Sequence, residues 1–422
     1  MATLNSRERM LASIRREQPD HTPLYAWVFG FHAPKHLRWT GKGQTVEYWY
    51  TQRMEHLHTT PLPWDVTQDF KRVDAWLSLG LDDALEVSVP WGMDERVTWH
   101  DTLIPPGAAL PGRGKVAQEQ PVWLREYQTP GGLLLHAVKK TGEVQPAGWV
   151  IQPDGVPLFE DFNIPRAAKH LVSSLADIDG VQWIYQAPGA VQGAWMAERM
   201  SQVTPFAADR GVMVQAWSAF GVDAVVWMAG VENAVMLAME APDAFTTLLD
   251  AVQTADIGRT ALALEYAVDV VVERGWYSSI DFWSPRLFRQ YFKPRIAELA
   301  RLVHAKGKLF AYVMTTGVAT LGPDLAEAGV DLLYYVDPAQ DHVDPAWAKR
   351  ELGQHMALAG GISTSLTLTP ANPQAIAAAV RQALDGMSRG GGNILSPVDA
   401  LFPDTPWSAV QAMIDTWRSY IR

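Results

Sequence analysis

From about residue 205 to the end, short continuously apolar runs alternate with longer stretches in which apolar residues recur at helical spacing. "GVMVQAWS" (211–218) reads as a strand, and the Ala-, Leu- and Met-rich stretch around 232–266 reads as helix. The rhythm repeats. "VDVVVERG" (268–275) precedes a helix through 285–305, and "KLFAYVMT" (308–315) precedes the helix "GPDLAEAG" (322–329). "VDLLYYVD" (330–337) precedes a helix near 345–353, "HMALAGGIS" (355–363) one at 371–387, and "GGNILSPVD" (391–399) one at 406–421. Strands apolar at successive rather than alternate positions are buried on both faces, as in a parallel sheet whose crossovers are helices.

Two earlier runs, "TPLYAWVF" (22–29) and "DDALEVSVP" (82–90), bring the strands to eight. Eight strand–helix units predict an α/β fold, a closed (β/α)8 TIM barrel spanning 1–422 as one domain. An open doubly wound sheet is the alternative, but no Gly-rich phosphate loop follows an early strand. The segment 92–185 breaks the rhythm and reads as a β-rich insertion after the second strand, near the barrel mouth, with a separate small domain as the alternative. Within it, "VWLREYQTPGGLLLHAVKK" (122–140) predicts a hairpin turning at Pro130–Gly132. Residues 5–17 predict an amphipathic N-terminal helix capped by Asn5 or Ser6.

Composition narrows the chemistry. Of 422 residues, 48% are apolar and 19% charged, which suits a soluble globular protein with a large core. The net charge of −11, without a basic run, argues against nucleic acid as a partner. No apolar run reaches the length of a membrane span, and "MATLNSRERM" lacks a signal-like apolar region, so a cytoplasmic protein is expected. Cysteine is absent, which excludes thiolate nucleophiles and Cys-ligated zinc. Tryptophan is abundant at 18 residues, enough to furnish both a core and an aromatic pocket.

In a TIM barrel the chemistry gathers at the C-terminal ends of the strands. Those ends here carry Trp217 and Ser218; Glu273 and Arg274, followed by Trp276, Tyr277, Asp281 and Trp283; Tyr312, Met314, Thr315 and Thr316; Tyr335 and Asp337; Ser363; and Ser396 and Asp399. Each has a structural alternative. Glu273 and Arg274 suit a rim ion pair, and Asp281 or Ser284 suits a helix cap. Asp337 before Pro338 suits a turn, and the two threonines suit a strand end. Trp276, Tyr277 and Trp283 suit either core or a pocket wall. His32 and His36 have the i, i+4 spacing of a zinc pair, and His56 and His58 form a second pair, but solvated or capping roles fit them better.

The segments "SRERMLASIRREQPDHTPL" (6–24), "SPRLFRQYFKPRIAELARLVHAKGKLFAYV" (284–313), "LAEAGVDLL" (325–333), "GGIS" (360–363) and "GGGNILSPVDALFPDTPWSAVQAMIDTW" (390–417) resemble the uroporphyrinogen decarboxylase superfamily. That superfamily also contains cobalamin-dependent methyltransferases. The resemblance covers most of the chain outside 92–185, and it implies a homodimer. True uroporphyrinogen decarboxylases carry an Arg-rich segment after strand one and an Asp after strand two. Here no arginine follows strand one until Arg38, and Ser88 stands where that Asp is expected. The thiol-alkylating methyltransferases bind zinc through a His-x-Cys pair at the end of strand five and a Cys after strand eight. Tyr312, Met314 and, approximately, Val398 occupy those places, with Tyr312 and Met314 expected to point inward.

The resemblance therefore implies an enzyme of the methyltransferase-like branch, moving a methyl group from a small methylated donor, such as an aryl methyl ether, to a corrinoid carried by a partner protein. Glu273, Tyr312 and Asp281 are the expected catalytic groups. Trp217, Trp276, Tyr277, Trp283, Thr315, Thr316, Asp337, Ser396 and Asp399 are the expected substrate-binding groups, and no metal ligand set is assigned. Two alternatives remain open: a decarboxylase or other lyase acting on a carboxylated substrate, and a non-catalytic ligand-binding barrel.

Overall fold

The computed structural model describes residues 3–28, 31, 33–37, 66–111, 120–139, 161–402 and 404–421. Eleven strands lie among them: β1 (Ala84–Ser88), β2 (Thr98–Ile104), β3 (Val122–Thr129), β4 (Gly132–Lys139), β5 (Ala167–Lys169), β6 (Met213–Ala219), β7 (Val270–Glu273), β8 (Leu309–Val313), β9 (Leu332–Val336), β10 (Ala357–Ser363) and β11 (Asn393–Val398). Seven form one parallel sheet in the order β1-β6-β7-β8-β9-β10-β11. Each coincides with an expected apolar run.

The first expected strand is reduced to isolated bridges, yet it closes the ring. Leu24 bridges Leu395 of β11, and Tyr25 bridges Asp82 just ahead of β1. Leu395 N–H donates to Pro23 O and Tyr25 N–H to Leu395 O, both at 3.0 Å, while Asp82 N–H donates to Leu24 O at 3.0 Å. This segment thus links the two edges of the sheet as the eighth stave of the barrel. The β9–β10 register shifts between Ala359 and Gly360. A Cβ at Gly360 would stand 2.4 Å from Val336 O, so the glycine allows the two backbones to meet there.

Crossover helices, including Pro242–Ala263, Lys293–His304, Val318–Ala328, Pro373–Met387 and Trp407–Ile421, pack outside the wall. The side chains of the wall divide between two clusters. Val271, Phe310, Tyr312, Met314 and Leu395 join the outer layer of helices. Val270, Val272, Ala311, Val313, Tyr334, Ile394 and Val398 fill the lumen. The N-terminal helix Ser6–Ile14 is held by a capping box between Asn5 and Glu8. Its Met10, Leu11 and Ile14 belong to the lumen cluster with Ala84, Met213, Leu332 and Ala357, which lie toward the N-terminal ends of their strands. That helix plugs the floor and leaves the opposite end as the mouth.

After β1 the chain makes an excursion containing the antiparallel sheet β2-β3-β4-β5. The expected hairpin is there, with Thr129 opposite Gly132 at its turn. Gly92 and Gln186 pair across the base of the excursion, with reciprocal bonds of 2.8 and 2.9 Å. Among the described residues, no single helix is long and apolar enough to cross a membrane.

Candidate functional site

Along β1, Ala84, Glu86 and Ser88 share the inner face, because residues two apart in a strand point the same way. Glu86 is buried at 9% exposure. One carboxylate oxygen accepts from Tyr25 Oη at 2.6 Å, and the other accepts from the Trp27 indole N–H. The network runs on across the lumen. Gln215 Nε2 donates to Tyr25 Oη at 2.9 Å, and Tyr334 Oη donates to Gln215 Oε1 at 3.2 Å. Burial, then the charge of Glu86, pushes both phenols well above their ordinary range, so they remain protonated donors. Chained donors polarise one another in a low-dielectric interior, so the carboxylate is fixed in place by side chains from three further staves.

Above this network three tryptophans meet. Ring centroids lie 5.6 Å apart for Trp27 and Trp217, 5.9 Å for Trp217 and Trp276, and 6.1 Å for Trp27 and Trp276. Their planes are close to parallel, at 24°, 11° and 33°. Trp27 and Trp217 are buried and Trp276 is half-buried, so the trio forms a continuous indole surface at the mouth. The Arg274 guanidinium stacks 4.5 Å from the centroid of Trp276 and 4.7 Å from that of Trp227, with Asp223 at 3.6 Å. On β11, Ser396 lies between the lumen residues Ile394 and Val398, opposite Gly361. It is fully buried, and its hydroxyl has no hydrogen-bond partner.

The other expected residues at the strand ends form a polar rim. Asp281 is exposed; it accepts from the Thr316 hydroxyl and from Ser279 Oγ at 3.2 Å. Ser284 instead caps the following helix, accepting from Leu287 N–H at 3.3 Å. Asp337 makes the turn its Pro338 neighbour suggests, accepting from Ala339 N–H at 2.9 Å and Gln340 N–H at 3.0 Å. Thr315 is half-buried beyond β8. Asp399 follows β11 with φ 68° and acts electrostatically on Tyr335, whose ring is in the lumen cluster.

The placement of five expected residues changes. Tyr312 and Met314 do not point inward; they face the outer helices, and Val313 is the inward residue at that strand end. Glu273 likewise lies behind the wall. It lines a small void with Leu249, Val252, Gln253, Phe292 and Tyr312. Burial, followed by the charges of Asp256 and Asp223, pushes its carboxyl well above the usual range, and its Oε2 has no hydrogen-bond partner. The Tyr312 hydroxyl donates to Ser278 Oγ at 2.9 Å, and its ring lies against Gly275, where a Cβ would stand 2.4 Å away. Trp283 packs on Phe245 and Phe292 at 5.6 and 5.0 Å, in the helical layer rather than a lumen wall. Tyr277 joins that layer too, 5.5 Å from Phe282.

Sequence reasoning thus brought Trp217, Trp276 and Ser396 to the lumen and missed Glu86, Trp27, Tyr25 and Gln215. The signal for Glu86 was a carboxylate in mid-strand, two residues before Ser88 and on the same face. His36 is exposed, with its ring 6.3 Å from Trp407. His32, Arg38, His56 and His58 lie outside the described residues. Among the described residues, no group of three or more His, Asp or Glu is arranged to hold a metal.

Comparison with known proteins adds three findings. The profile described as "Uroporphyrinogen decarboxylase (URO-D)" matches residues 158–420. A methylcobamide:CoM methyltransferase, MtaA, of Methanosarcina barkeri is 25% identical over 187 residues, 44% of this chain and 52% of that protein; its counterpart in strain Fusaro is 24% identical over the same length. The chain therefore spans about half the length of the curated relatives it matches. A solved methyltransferase from Methanosarcina mazei superposes with a TM-score of 0.57 at 17% identity, covering 99% of this chain and 100% of that one, which is a likeness of fold.

Proposed function

The chain belongs to the uroporphyrinogen decarboxylase family, and from that premise we propose that it is a methyltransferase, taking a methyl group from a small methylated donor at the barrel mouth and passing it to a corrinoid carried by a partner protein. The observation that carries this reading is the indole surface of Trp27, Trp217 and Trp276 above a fixed carboxylate. An apolar aromatic wall excludes water and grips a small donor, while polar groups fix its orientation. The partial similarity to methylcobamide methyltransferases points the same way.

Within this reading the indoles hold the donor, and Glu86, fixed by Tyr25 and Trp27, sets its orientation. Ser396 offers a hydroxyl from β11, the strand bridged to the stave that carries Tyr25 and Trp27. Asp281 with Thr316, Asp337 and Asp399 form the rim that the donor passes. The corrinoid is a substrate here: its reduced cobalt supplies the electron pair that takes the methyl carbon, while the broken bond's pair stays on the donor's heteroatom. Glu273 and Tyr312 support the wall from behind. A decarboxylase for a substrate with several carboxylates needs several cationic donors. The guanidinium of Arg274 instead lies between two indoles and beside Asp223.

The test is spectroscopic. Protein is mixed with a reduced corrinoid protein and a panel of methylated ethers, amines, ammonium ions and sulfonium ions. Loss of the Co(I) absorbance with one donor class, dependent on this protein, is the expected result. A complete panel without corrinoid methylation sinks the reading.

A further inference from the structure

We propose that the donor is a methylated cation, a quaternary ammonium or sulfonium ion, whose charged head rests on the tryptophan trio beside the carboxylate of Glu86. This deepens the methyl-transfer reading and rests on it.

Three observations converge. First, the near-parallel indoles of Trp27, Trp217 and Trp276 lie within 5.6 to 6.1 Å of one another, and Trp276 brings the surface to the mouth. The face of an indole carries negative electrostatic potential and attracts cations better than any other aromatic side chain. Arg274, stacked 4.5 Å from Trp276, shows a cation already held by one of these rings. Second, Glu86 is hydrogen-bonded to the edge of Trp27, so a carboxylate adjoins the indole surface. A neutral ether offers only acceptor lone pairs, and a carboxylate accepting from two donors repels them. A methylated cation is drawn to both the charge and the rings. Third, the Ser396 hydroxyl faces the lumen, fully buried and without a hydrogen-bond partner. A buried polar atom in this state is satisfied by a water or by a polar group of a ligand.

The chemistry balances without a proton donor. The C–N or C–S bond breaks with its electron pair remaining on nitrogen or sulfur, which leaves as a neutral amine or thioether. The methyl carbon bonds to the two-electron nucleophile, the reduced cobalt of the partner's corrinoid. An alkyl ether, by contrast, leaves as an anion that must be protonated.

The test compares choline with 3,3-dimethylbutan-1-ol, which has the same shape without the charge. Each is titrated into the full chain by tryptophan fluorescence and calorimetry. Choline is expected to bind more tightly by about ten-fold or more. Glu86→Gln is expected to reduce that preference several-fold, to the share supplied by the rings, while leaving the alcohol's affinity unchanged. Trp276→Leu, at a half-buried position, is expected to weaken choline selectively. The wild-type comparison stands even if Glu86→Gln does not fold. Equal or tighter binding of the alcohol, a preference undiminished by Glu86→Gln, or no binding of either probe overturns the proposal. Choline binding without corrinoid methylation from any donor removes the methyl-transfer reading and leaves the cation site. Methylation from a methoxyarene without choline binding does the reverse.

Discussion

Glu86 and Glu273 are both buried glutamates on barrel strands, and they face opposite sides of the same wall. Glu86 looks into the lumen, where a phenol and an indole donate to its two oxygens. Glu273 looks out toward the helices, where Oε2 has no hydrogen-bond partner and two further carboxylates lie near. The inner position gives an anchored acceptor next to an aromatic surface. The outer one gives a desolvated acid whose carboxyl is pushed well above the usual range. Residue type and depth of burial are nearly the same, so the parity of the strand decides which group can meet a ligand.

The comparison can be broken or sharpened in four ways, from the largest effect down. Trp217→Ala removes a fully buried indole from the trio. It should cost about 3–5 kcal/mol in urea unfolding and remove ligand binding. A loss under half of that would mean the indoles do not pack as one surface. Glu86→Gln keeps the shape but removes the charge. Methyl transfer should fall on the order of a hundred-fold with little change in unfolding midpoint. The same change at Glu273 should act on stability instead. Burial makes Glu273 hold its proton more tightly in the folded chain than in the unfolded one. Its contribution is therefore complete below the ordinary carboxylate range and is lost as pH rises toward its folded value. Glu273→Gln should flatten the decline in stability above about pH 4.5 by up to about 1.4 kcal/mol per pH unit. Melting curves across pH 5 to 8 would show it, and an unchanged slope would mean that Glu273 is ionised. Ser396→Ala is the smallest: a gain of up to about 1 kcal/mol in stability, with weaker ligand binding, because it removes a buried hydroxyl that lacks a partner.

Strand existence was legible because a barrel strand is apolar on both sides, and the runs at 211–218, 268–275, 308–315 and onward need no tertiary knowledge to find. The same property hid which side each residue faces. "LFAYV" has no alternation to read, so Tyr312 was expected in the lumen and stands outside it. The helical stretch at 232–266 is two helices, Val231–Glu240 and Pro242–Ala263, divided where Pro242 ends the first and starts the second. Glu86 was hidden for a different reason. A single carboxylate inside "ALEVS" has no spacing motif, and only the approach of Tyr25 and Trp27 from the stave that closes the ring gives it meaning. Trp27 sat in a segment that reads as a plain strand but is held by single bridges.

The pairing of Gly92 with Gln186 bears on how such a chain can change. Departure and return are joined by two hydrogen bonds, and the entropy of closing a loop grows only slowly with its length. The stretch between them is nevertheless tied to the barrel: Tyr185 Oη donates to Asp256 at 2.6 Å, Val172 N–H donates to Met228 O at 2.9 Å, and Leu171, Val181 and Ile184 belong to the outer core cluster. A new recognition module is therefore best grafted at an exposed turn of the excursion, such as Pro105–Ala108, where added length costs little and those contacts, the indoles and Glu86 are left as they are.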